Sequence, residues 1–474
     1  MIDTIIRSDR VVTPQGVGAY DIAISGQTIA AVAAVGAIPV GPQTRLIDAT
    51  GKLVIPGGID PHVHCAWHIP GPDGKSGMTA PPEVVSRAAL FGGTTTMIDF
   101  ARWMHGNTVQ GTIEARDKDW IGRCFTDFAY HLMVEGLFPV GLTDQVAEAI
   151  QAGYATVKIF TTDITPSRKG RMVGYGDIWE MFKVLSKNGG LGVIHAEDND
   201  IVMHMYEKLF REGRTGFENM AEVHNTLSED LSFRRVIRLA EEMNTAIYMM
   251  HVSAGTGVQA IREARSRGKP VYGETLHQYI LHTAEDYKLP NGQMFHTYPS
   301  LKGKEDTEAL WKGVSEDVIH SIATDELCCS LAVKTQGKRI DDTTGGNTGV
   351  EPRVSLMYTE MVEKRGYSLT QFVDLISSNA ARILGMYPRK GAIAAGSDAD
   401  LVILDPGLAR TIQNKDLHES DYTPWEGHQV GVWPCLTMLR GKIMVEDGQF
   451  FGKLSDGQYL KRKIAPEVLA GAKL

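Results

Sequence analysis

The chain has 474 residues, 43% of them hydrophobic, so it can bury a large core, and its formal net charge is −9. No basic tract stands out, so we expect no nucleic-acid partner and no anionic membrane partner. The apolar runs are shorter than the ~18 residues of a membrane helix and the N-terminus lacks an apolar signal core, which predicts a cytoplasmic protein. Five cysteines without CxxC spacing favour reduced thiols over a disulfide framework.

Both ends of the chain have the alternating pattern of β-strands. Residues 1–52 contain DTIIRSDRVVTP, YDIAISGQTIAAVA and TRLIDATGK, each punctuated by Gly or Pro. The same character returns after Arg382 with GAIAAGSDADLVILDP and WPCLTMLRGKIMVEDGQFF. We therefore predict one small β-sandwich domain built from residues 1–52 and 386–474, the second part ending in a C-terminal tail.

The middle of the chain, residues 53–385, repeats a strand, a loop and a helix. The predicted strands are residues 53–64, 94–100, 125–133, 156–160, 191–198, 246–253, 271–277 and 318–326. Helical patterns such as DIWEMFKVLSKNGG and LSEDLSFRRVIRLAEEMN lie between them, several closed by Gly or Asn. Eight apolar strands alternating with amphipathic helices predict an α/β fold with a (β/α)8 TIM-like barrel.

The first predicted strand ends in a pair of histidines. In LVIPGGIDPHVHCAW, His62 and His64 are two residues apart, and side chains two apart on a strand point to the same side. Two neutral imidazoles aimed at one point supply half of a metal site. The alternative is that both histidines are merely hydrogen-bonded in a polar loop.

Polar residues at the ends of other strands decide between these two interpretations. Catalytic residues of such barrels lie at the carboxyl ends of the strands, because those ends converge on one face. Besides the histidine pair, the polar residues at these positions are Lys158 in TVKIF, His195 in LGVIHAED, His251 in IYMMHVS and Asp325 in IATDE. Six polar residues in such places predict a metal centre.

This set exceeds what one tetrahedral Zn²⁺ requires, which predicts two metals that share a bridging ligand. Imidazole and carboxylate ligands suit Zn²⁺, our first expectation, and also Mn²⁺, Fe²⁺ or Co²⁺. Two such ions lower the pKa of a shared water and polarise a carbonyl, while a carboxylate can take the proton and deliver it to a leaving nitrogen. Asp325 is the strand-end carboxylate placed for that role. A lysine ammonium, however, cannot ligate a cation.

At this point the sequence resembles the amidohydrolase superfamily, and within it the hydantoinase and dihydropyrimidinase group. The resemblance covers essentially the whole chain. It includes GGIDPHVH, the residues around Lys158, His195, His251 and Asp325, and the later stretches NAARILG and GSDADLVILDP.

The resemblance implies a role for each strand-end residue. His62, His64 and Asp325 would bind one metal and His195 and His251 the second. Lys158, carbamylated by CO₂, would bridge them. It also implies a homotetramer that hydrolyses a C–N bond of a small cyclic amide, imide or ureide.

The sequence departs from the group's pattern on the substrate side. Asp163 stands where the ring hydrolases carry a tyrosine that donates to the developing oxyanion, and a bare carboxylate cannot do that. The serine of the group falls near Tyr298, and its asparagine falls near Gly345. Glu326 follows Asp325 where histidine is usual. We therefore predict Asp163, Tyr298 and Gly345 as substrate-binding residues and expect a non-standard ring as substrate. Tyr298 is the candidate replacement for the missing tyrosine donor.

Alternative functions stay open at this point. An allantoinase-like enzyme, another amide hydrolase of the superfamily or a deaminase would share the fold, although a mononuclear deaminase needs no strand 4 lysine. A non-catalytic interaction protein similar to the collapsin response relatives would have lost metal ligands, which are intact here. The basic residues Arg168, Lys169 and Arg171 form either an anion-receiving group or a solvated loop face.

Overall fold

The protein is represented by a computed structural model, which describes residues 2–71 and 76–474. In chain order its strands are β1 Thr4–Thr13, β2 Gly16–Ser25, β3 Thr28–Ala34, β4 Arg45–Asp48, β5 Leu53–Pro56, β6 Gly58–Asp60, β7 His68–Pro70, β8 Ser76–Met78, β9 Thr94–Arg102, β10 Asp127–Met133, β11 Thr156–Phe160, β12 Leu191–His195, β13 Ile247–Met249, β14 Val271–Leu276, β15 Ser321–Ala323, β16 Leu401–Asp405, β17 Arg410–Thr411, β18 Gln429–Val430, β19 Trp433–Leu439, β20 Lys442–Glu446 and β21 Gln449–Phe450.

The α-helices are α1 Pro82–Phe91, α2 Val109–Trp120, α3 Leu142–Gln151, α4 Tyr175–Asn188, α5 Asn199–Arg211, α6 Met220–Val223, α7 Thr226–Met243, α8 Gly255–Ser266, α9 His277–Leu281, α10 Lys304–Ser315, α11 Leu331–Lys334, α12 Arg353–Tyr358, α13 Leu369–Val373, α14 Asn379–Ile383 and α15 Pro466–Leu469. Short 3₁₀ segments lie at Pro166–Arg168, Phe217–Asn219, Ala284–Lys288, Gly292–Phe295, Pro406–Leu408 and Asn414–Asp416, and π-helical turns at Thr359–Glu363 and Asp374–Ser378.

The central sheet is an eight-stranded parallel barrel. Its strands follow the order β15, β14, β13, β12, β11, β10, β9 and β6. The two ends of this order meet just beyond the strands, where the His64 amide donates to the Glu326 carbonyl at 2.7 Å and the Glu326 amide donates to the His62 carbonyl at 3.1 Å. The nearly closed barrel confirms the predicted fold class.

The predicted first strand, residues 53–64, was wrong as a single element. β5 pairs with β1 and β16, whereas β6 pairs with β9 of the barrel. The two strands are separated by Gly57, where an added Cβ would lie 2.1 Å from the Thr95 hydroxyl. The chain therefore crosses from one sheet to the other at a residue that has no room for a side chain.

The second large sheet joins the two ends of the chain. It contains β1 to β5 together with β16 and β19 to β21, and β16 lies antiparallel to β5 with Ile403 opposite Val54. A cluster of buried side chains, including Ile6, Ile22 and Met438, covers one face of this sheet. The division into residues 1–52 with 386–474 and residues 53–385 stays a prediction.

The aromatic residues near the C-terminus are packed within their own chain. Trp425 is 0% exposed and Trp433 5% exposed. The Phe450 ring lies 4.8 Å from the Phe125 ring, centroid to centroid. These three side chains therefore pack within their own chain and give no support to the expected homotetramer.

Helix ends and thiols follow the sequence pattern. α4 ends at Gly189 and α7 at Asn244, both in the left-handed conformation that favours these residue types. At the start of α7, the Asn225 side chain accepts a hydrogen bond from the Ser228 amide. All five cysteines are buried and unpaired in the structure. Across the described residues, no helix has the length and apolar character needed to span a membrane.

Candidate active site

Three of the predicted ligands meet at the carboxyl end of the barrel. His62 and His64 each place Nε2 3.1 Å from Asp325 Oδ1. The ligand atoms of these three residues all lie within 4.8 Å of one another. Three atoms that face one point from three directions, on the first and last strands of the barrel, match the donor set of a divalent metal.

The electrostatics around His62, His64 and Asp325 favour a bound cation. Burial lowers the pKa of His62, but the Asp325 and Glu274 carboxylates outweigh it and raise that pKa to about 9. The pKa of Asp325 is held well below its usual range: burial opposes this, but the two imidazoles dominate. The proton on His62 thus supplies the positive charge that a metal ion would bring between these residues.

The other two predicted histidines form a second group beside the first. His195 Nδ1 lies 3.0 Å from His251 Nε2, and the His251 ring lies 5.4 Å from the His62 ring, centroid to centroid. Burial lowers the pKa of His195 to about 4 and that of His251 well below its usual value. Both imidazoles are therefore neutral, with nitrogen atoms converging as ligands do.

Lys158 lies in the barrel interior with only 2% of its surface exposed. Its Nζ lies 2.9 Å from Met250 Sδ and between the rings of Phe100 and Phe160. Within the described residues it has no carboxylate partner. Burial lowers the pKa of Lys158 to about 7, although Glu274 and Asp325 oppose the shift. Much of this lysine is therefore a neutral amine, the form that reacts with CO₂.

Two buried carboxylates behind the histidines were missed by the sequence analysis. Glu274 on β14 accepts hydrogen bonds from His62 Nδ1 at 2.9 Å and from the Tyr248 hydroxyl at 2.8 Å. Glu197 accepts from His195 Nε2 at 2.9 Å and from His224 Nδ1 at 2.8 Å. Such carboxylates fix the tautomer and ring orientation of metal-binding histidines. The signal was available, since Glu274 interrupts the otherwise apolar strand VYGETL.

Two of the predicted ligands, each at the end of a strand, have left-handed backbone conformations. His251 has φ 41° and Asp325 has φ 53°, in the left-handed region that residues other than Gly, Asn and Asp seldom adopt. Asp60 supports the turn at Asp325, because its carboxylate accepts a 2.6 Å hydrogen bond from the Thr324 hydroxyl and a 3.2 Å bond from the His62 amide. These turns aim the side chains inward, where an extended strand would not.

A cavity of about 790 Å³ opens directly over these groups. Its floor is formed by the six predicted metal-centre residues, and apolar contacts come from Trp67, Phe100, Met133, Phe160, Ile164 and Leu327. Charged residues surround the rest of the wall: Arg102, Glu135, Arg168, Lys169, Arg171, Arg339, Asp341 and Asp342. A concave cavity of this size on which polar groups converge is typical of a small-molecule site.

Two of the three predicted substrate-binding residues lie in the cavity wall. Tyr298 and Gly345 are in contact with each other, since an added Cβ at Gly345 would lie 2.3 Å from the Tyr298 ring. The Tyr298 hydroxyl donates to the Thr343 carbonyl at 3.0 Å. This donor is therefore already engaged, and Tyr298 offers the cavity its ring rather than a free hydroxyl.

Asp163 occupies a different place from the one predicted. It is not among the residues that line the cavity. Its carboxylate accepts hydrogen bonds from the amides of Gly170 at 3.0 Å and Met172 at 2.8 Å. It folds the loop between β11 and α4 back on itself, so its effect on substrate would act through the shape of this loop.

Glu326 is also absent from the cavity wall. Its side chain is buried behind Asp325 and accepts a hydrogen bond from the Val350 amide at 2.9 Å. Burial and the nearby Glu419 carboxylate raise its pKa well above the usual value. The departure from histidine at this position is therefore accommodated inside the protein and not at the substrate.

Comparison with known proteins points to one family. The model of the amidohydrolase family matches residues 53–444. A D-hydantoinase of Ralstonia pickettii is 32% identical, with 98% of this chain and 99% of the relative covered. A D-hydantoinase of Geobacillus stearothermophilus is 33% identical over 97% of this chain and 96% of its own.

A solved structure agrees over nearly the whole chain. The crystal structure of dihydropyrimidinase from Brevibacillus agri NCHU1002 superposes with a TM-score of 0.91 at 29% identity. It covers 98% of this chain and 99% of the other. The barrel and the second sheet are therefore shared with this structure.

Proposed function

The chain belongs to the amidohydrolase family, and from this premise we propose that it is a metal-dependent hydrolase that opens a C–N bond of a cyclic amide, imide or ureide. One observation carries the proposal: four imidazoles, Asp325 and the uncharged Lys158 converge beneath one cavity. Its relatives named D-hydantoinase and the structural neighbour named dihydropyrimidinase support this substrate class.

The residues fit a binuclear centre. We propose that His62, His64 and Asp325 hold one ion and that His195 and His251 hold the other. The neutral Lys158 amine would add to CO₂, forming an N–C bond and releasing one proton, and the resulting carbamate would bridge the two. Zn²⁺ is our first candidate, with Mn²⁺, Fe²⁺ or Co²⁺ as alternatives. Bound ions of this kind activate a water and polarise a substrate carbonyl.

Asp325 has a second task in this proposal. Its Oδ1 faces both histidines of the first group, while its Oδ2 accepts a hydrogen bond from the Thr297 hydroxyl. These contacts hold the carboxylate at the cavity floor, where it can take a proton from the attacking water and pass it to the leaving nitrogen.

The residues of the cavity wall influence which substrate ring the cavity can accept. With its hydroxyl bound to the Thr343 carbonyl, Tyr298 would contact substrate through its ring face and edge. The group carries a tyrosine where this chain has Asp163, and the hydrogen-bonded Tyr298 hydroxyl therefore does not replace that donor in this conformation. We still propose a ring other than plain hydantoin or dihydropyrimidine, with Tyr298 and Gly345 shaping its place.

A turnover screen tests the proposed function. Hydantoin, dihydrouracil, allantoin and small cyclic imides would be supplied to metal-replete protein, and the products identified by mass. Ring opening, which adds one water and releases no ammonia, is expected for at least one of them. Release of ammonia with the ring intact would favour the deaminase alternative, and no turnover of any ring would favour a non-catalytic interaction protein. We also propose that the protein is cytoplasmic and forms a homotetramer.

A further inference from the structure

The basic residues of the loop between β11 and α4 line the cavity above the metal-centre residues. Arg168, Lys169 and Arg171 all contribute to its wall, and Arg102 joins them from the end of β9. Arg168 and Arg171 are partly buried, whereas Lys169 is exposed. The two arginines therefore do not behave as a solvated loop face, although Lys169 does.

The carboxylate near these arginines does not balance their charge. Glu135 lies between Arg102, which donates to its Oε2 at 2.9 and 2.7 Å, and Arg171, whose Nε lies 3.0 Å from its Oε1. One carboxylate thus faces two guanidinium groups. Arg171 Nε and Glu135 Oε1 are both buried, and their contact lacks hydrogen-bond geometry, so neither atom has a hydrogen-bond partner. Buried charged donors of this kind are costly unless a partner reaches them.

Arg168 adds a further positive charge. Its guanidinium lies 5.4 Å from the centroid of the Tyr298 ring. Among the residues that the structure describes, no carboxylate pairs with it. Burial lowers the pKa of Arg171 to about 9, and the charges of Arg168 and Arg102 add to this effect while Glu135 opposes it. An anion placed between the two loop arginines would relieve their repulsion.

These arginines lie close to the predicted metal-centre residues. Arg171 Cζ and Lys158 Nζ each lie 5.1 Å from the centroid of the Phe160 ring. Arg168 stacks on Tyr298, and the neighbouring Thr297 hydroxyl contacts Asp325. A ring whose amide lies over the predicted metal-centre residues would therefore meet these arginines in the same cavity through a substituent on the ring.

From this arrangement we propose that the substrate is a cyclic amide that carries a carboxylate, and that Arg168 and Arg171 bind that carboxylate. This inference rests on the proposed function and specifies the substrate class of the same site. A guanidinium matches a carboxylate in shape and can bind it through two parallel hydrogen bonds. Arg168 and Arg171 are specificity-determining residues in this proposal, and take no part in bond breaking.

A matched pair of substrates tests this proposal. Hydantoin-5-acetic acid and its neutral amide, hydantoin-5-acetamide, differ in charge and hardly in shape. We expect the parent enzyme to favour the acid by about 10- to 100-fold in kcat/KM, the range of a hydrogen bond to a charged group. In Arg168→Gln and Arg171→Gln this ratio should fall towards one, because KM for the acid rises more than KM for the amide.

Control variants keep the result interpretable. Arg262→Gln removes an arginine that pairs with Glu316 on the far surface of α8, and it should leave the ratio unchanged. Arg168→Lys keeps the charge without the planar fork, so it should give an intermediate ratio. If loss of the Glu135 contact prevents Arg171→Gln from folding, as a melting curve would show, the two Arg168 variants decide.

The possible failures are distinguishable. If the parent opens both rings and handles the amide as well as the acid, this inference is overturned and the proposed function stands. The same conclusion follows if Arg168→Gln keeps the parent's preference for the acid. If the parent opens neither these rings nor any other cyclic amide, the proposed function is wrong, and the inference falls with it.

Discussion

At the residue scale, the centre depends on side chains that set the charge and direction of the ligands. Glu274 fixes His62 through Nδ1, which leaves Nε2 to face Asp325, and Glu197 fixes His195 through Nε2, which leaves Nδ1 to face His251. The free nitrogen atoms are therefore the ones that converge. Losing an outer partner of this kind typically weakens metal binding by about 10- to 100-fold.

Replacing Lys158 tests the bridging role. In Lys158→Ala we expect metal affinity to fall by more than that roughly 10- to 100-fold, because a shared ligand would be lost, and activity to fall with it. A small carboxylate added with metal should restore part of the turnover. Metal content and activity are measured on the same sample, with Lys183→Ala, an exposed lysine that pairs with Glu180, as control. Two tightly bound ions in Lys158→Ala would contradict the role.

Replacing Asp325 tests the proton transfer. Asp325→Asn keeps the size of the side chain and removes its capacity to accept a proton, so kcat should drop by about 10² to 10⁴. The fold should survive, as a melting curve and circular dichroism would check. Because Asp325 is also a proposed ligand, metal content must be measured beside kcat. Activity within a few-fold of the parent would remove Asp325 from this step.

At the element scale, the loop between β11 and α4 decides what the cavity accepts. Asp163 holds the two ends of this loop together through the Gly170 and Met172 amides, and the same loop carries Arg168 and Arg171. The residue that departs from the family pattern thus belongs to the structure that positions the cationic wall.

Opening this loop should change binding more than chemistry. Asp163→Ala removes both hydrogen bonds, so we expect KM to rise about 3- to 30-fold, with kcat and metal content within a few-fold of the parent. Both amides donate to the same oxygen, Oδ1, so Asp163→Asn, which keeps one acceptor oxygen, should give a KM near that of the parent. Steady-state kinetics on an accepted ring decides. A large fall in kcat at unchanged KM would instead place Asp163 in the reaction itself.

Some of the strands and helices could be predicted from the sequence alone, and others could not. The apolar strands and capped helices were predictable because periodicity and Gly or Asn caps are local features, as at Gly189 and Asn244. The division of residues 53–64 into two strands was not, because it depends on the close approach of Thr95 to Gly57. The contact between His62 and Glu274 was missed although Glu274 is a charged residue inside a strand, because strand order does not tell which side chains within the barrel meet.

At the scale of the whole molecule, the candidate site follows from the barrel. Parallel strands bring residues from distant parts of the chain to one rim, so the six strand-end positions could be predicted from strand order alone. Their roles as ligands stay predictions. The wall of the cavity comes from irregular loops, whose course no periodicity encodes, which is why Tyr298 and Asp163 were assigned contacts that the structure does not give them.

The oligomeric state is a separate question. The C-terminal aromatics are buried in their own chain, but Leu137 is 74% exposed and Val140 fully exposed between β10 and α3. We predict a homotetramer, so light scattering at micromolar concentration should return about four times 51.9 kDa. If Leu137 and Val140 lie in the interface, Val140→Glu should lower that mass, with Val35→Glu on the second sheet as control. A parent mass near 51.9 kDa would refute an oligomer.

Removing the metal and adding it back tests whether ring opening depends on two bound metal ions. The protein would be stripped with a chelator and titrated with Zn²⁺ in the presence of bicarbonate, while ring opening of an accepted cyclic amide is followed. We expect activity to be lost on stripping and to rise until about two equivalents have bound. Ring opening that survives complete metal removal, or that is fully restored by a single equivalent, would contradict a binuclear hydrolase.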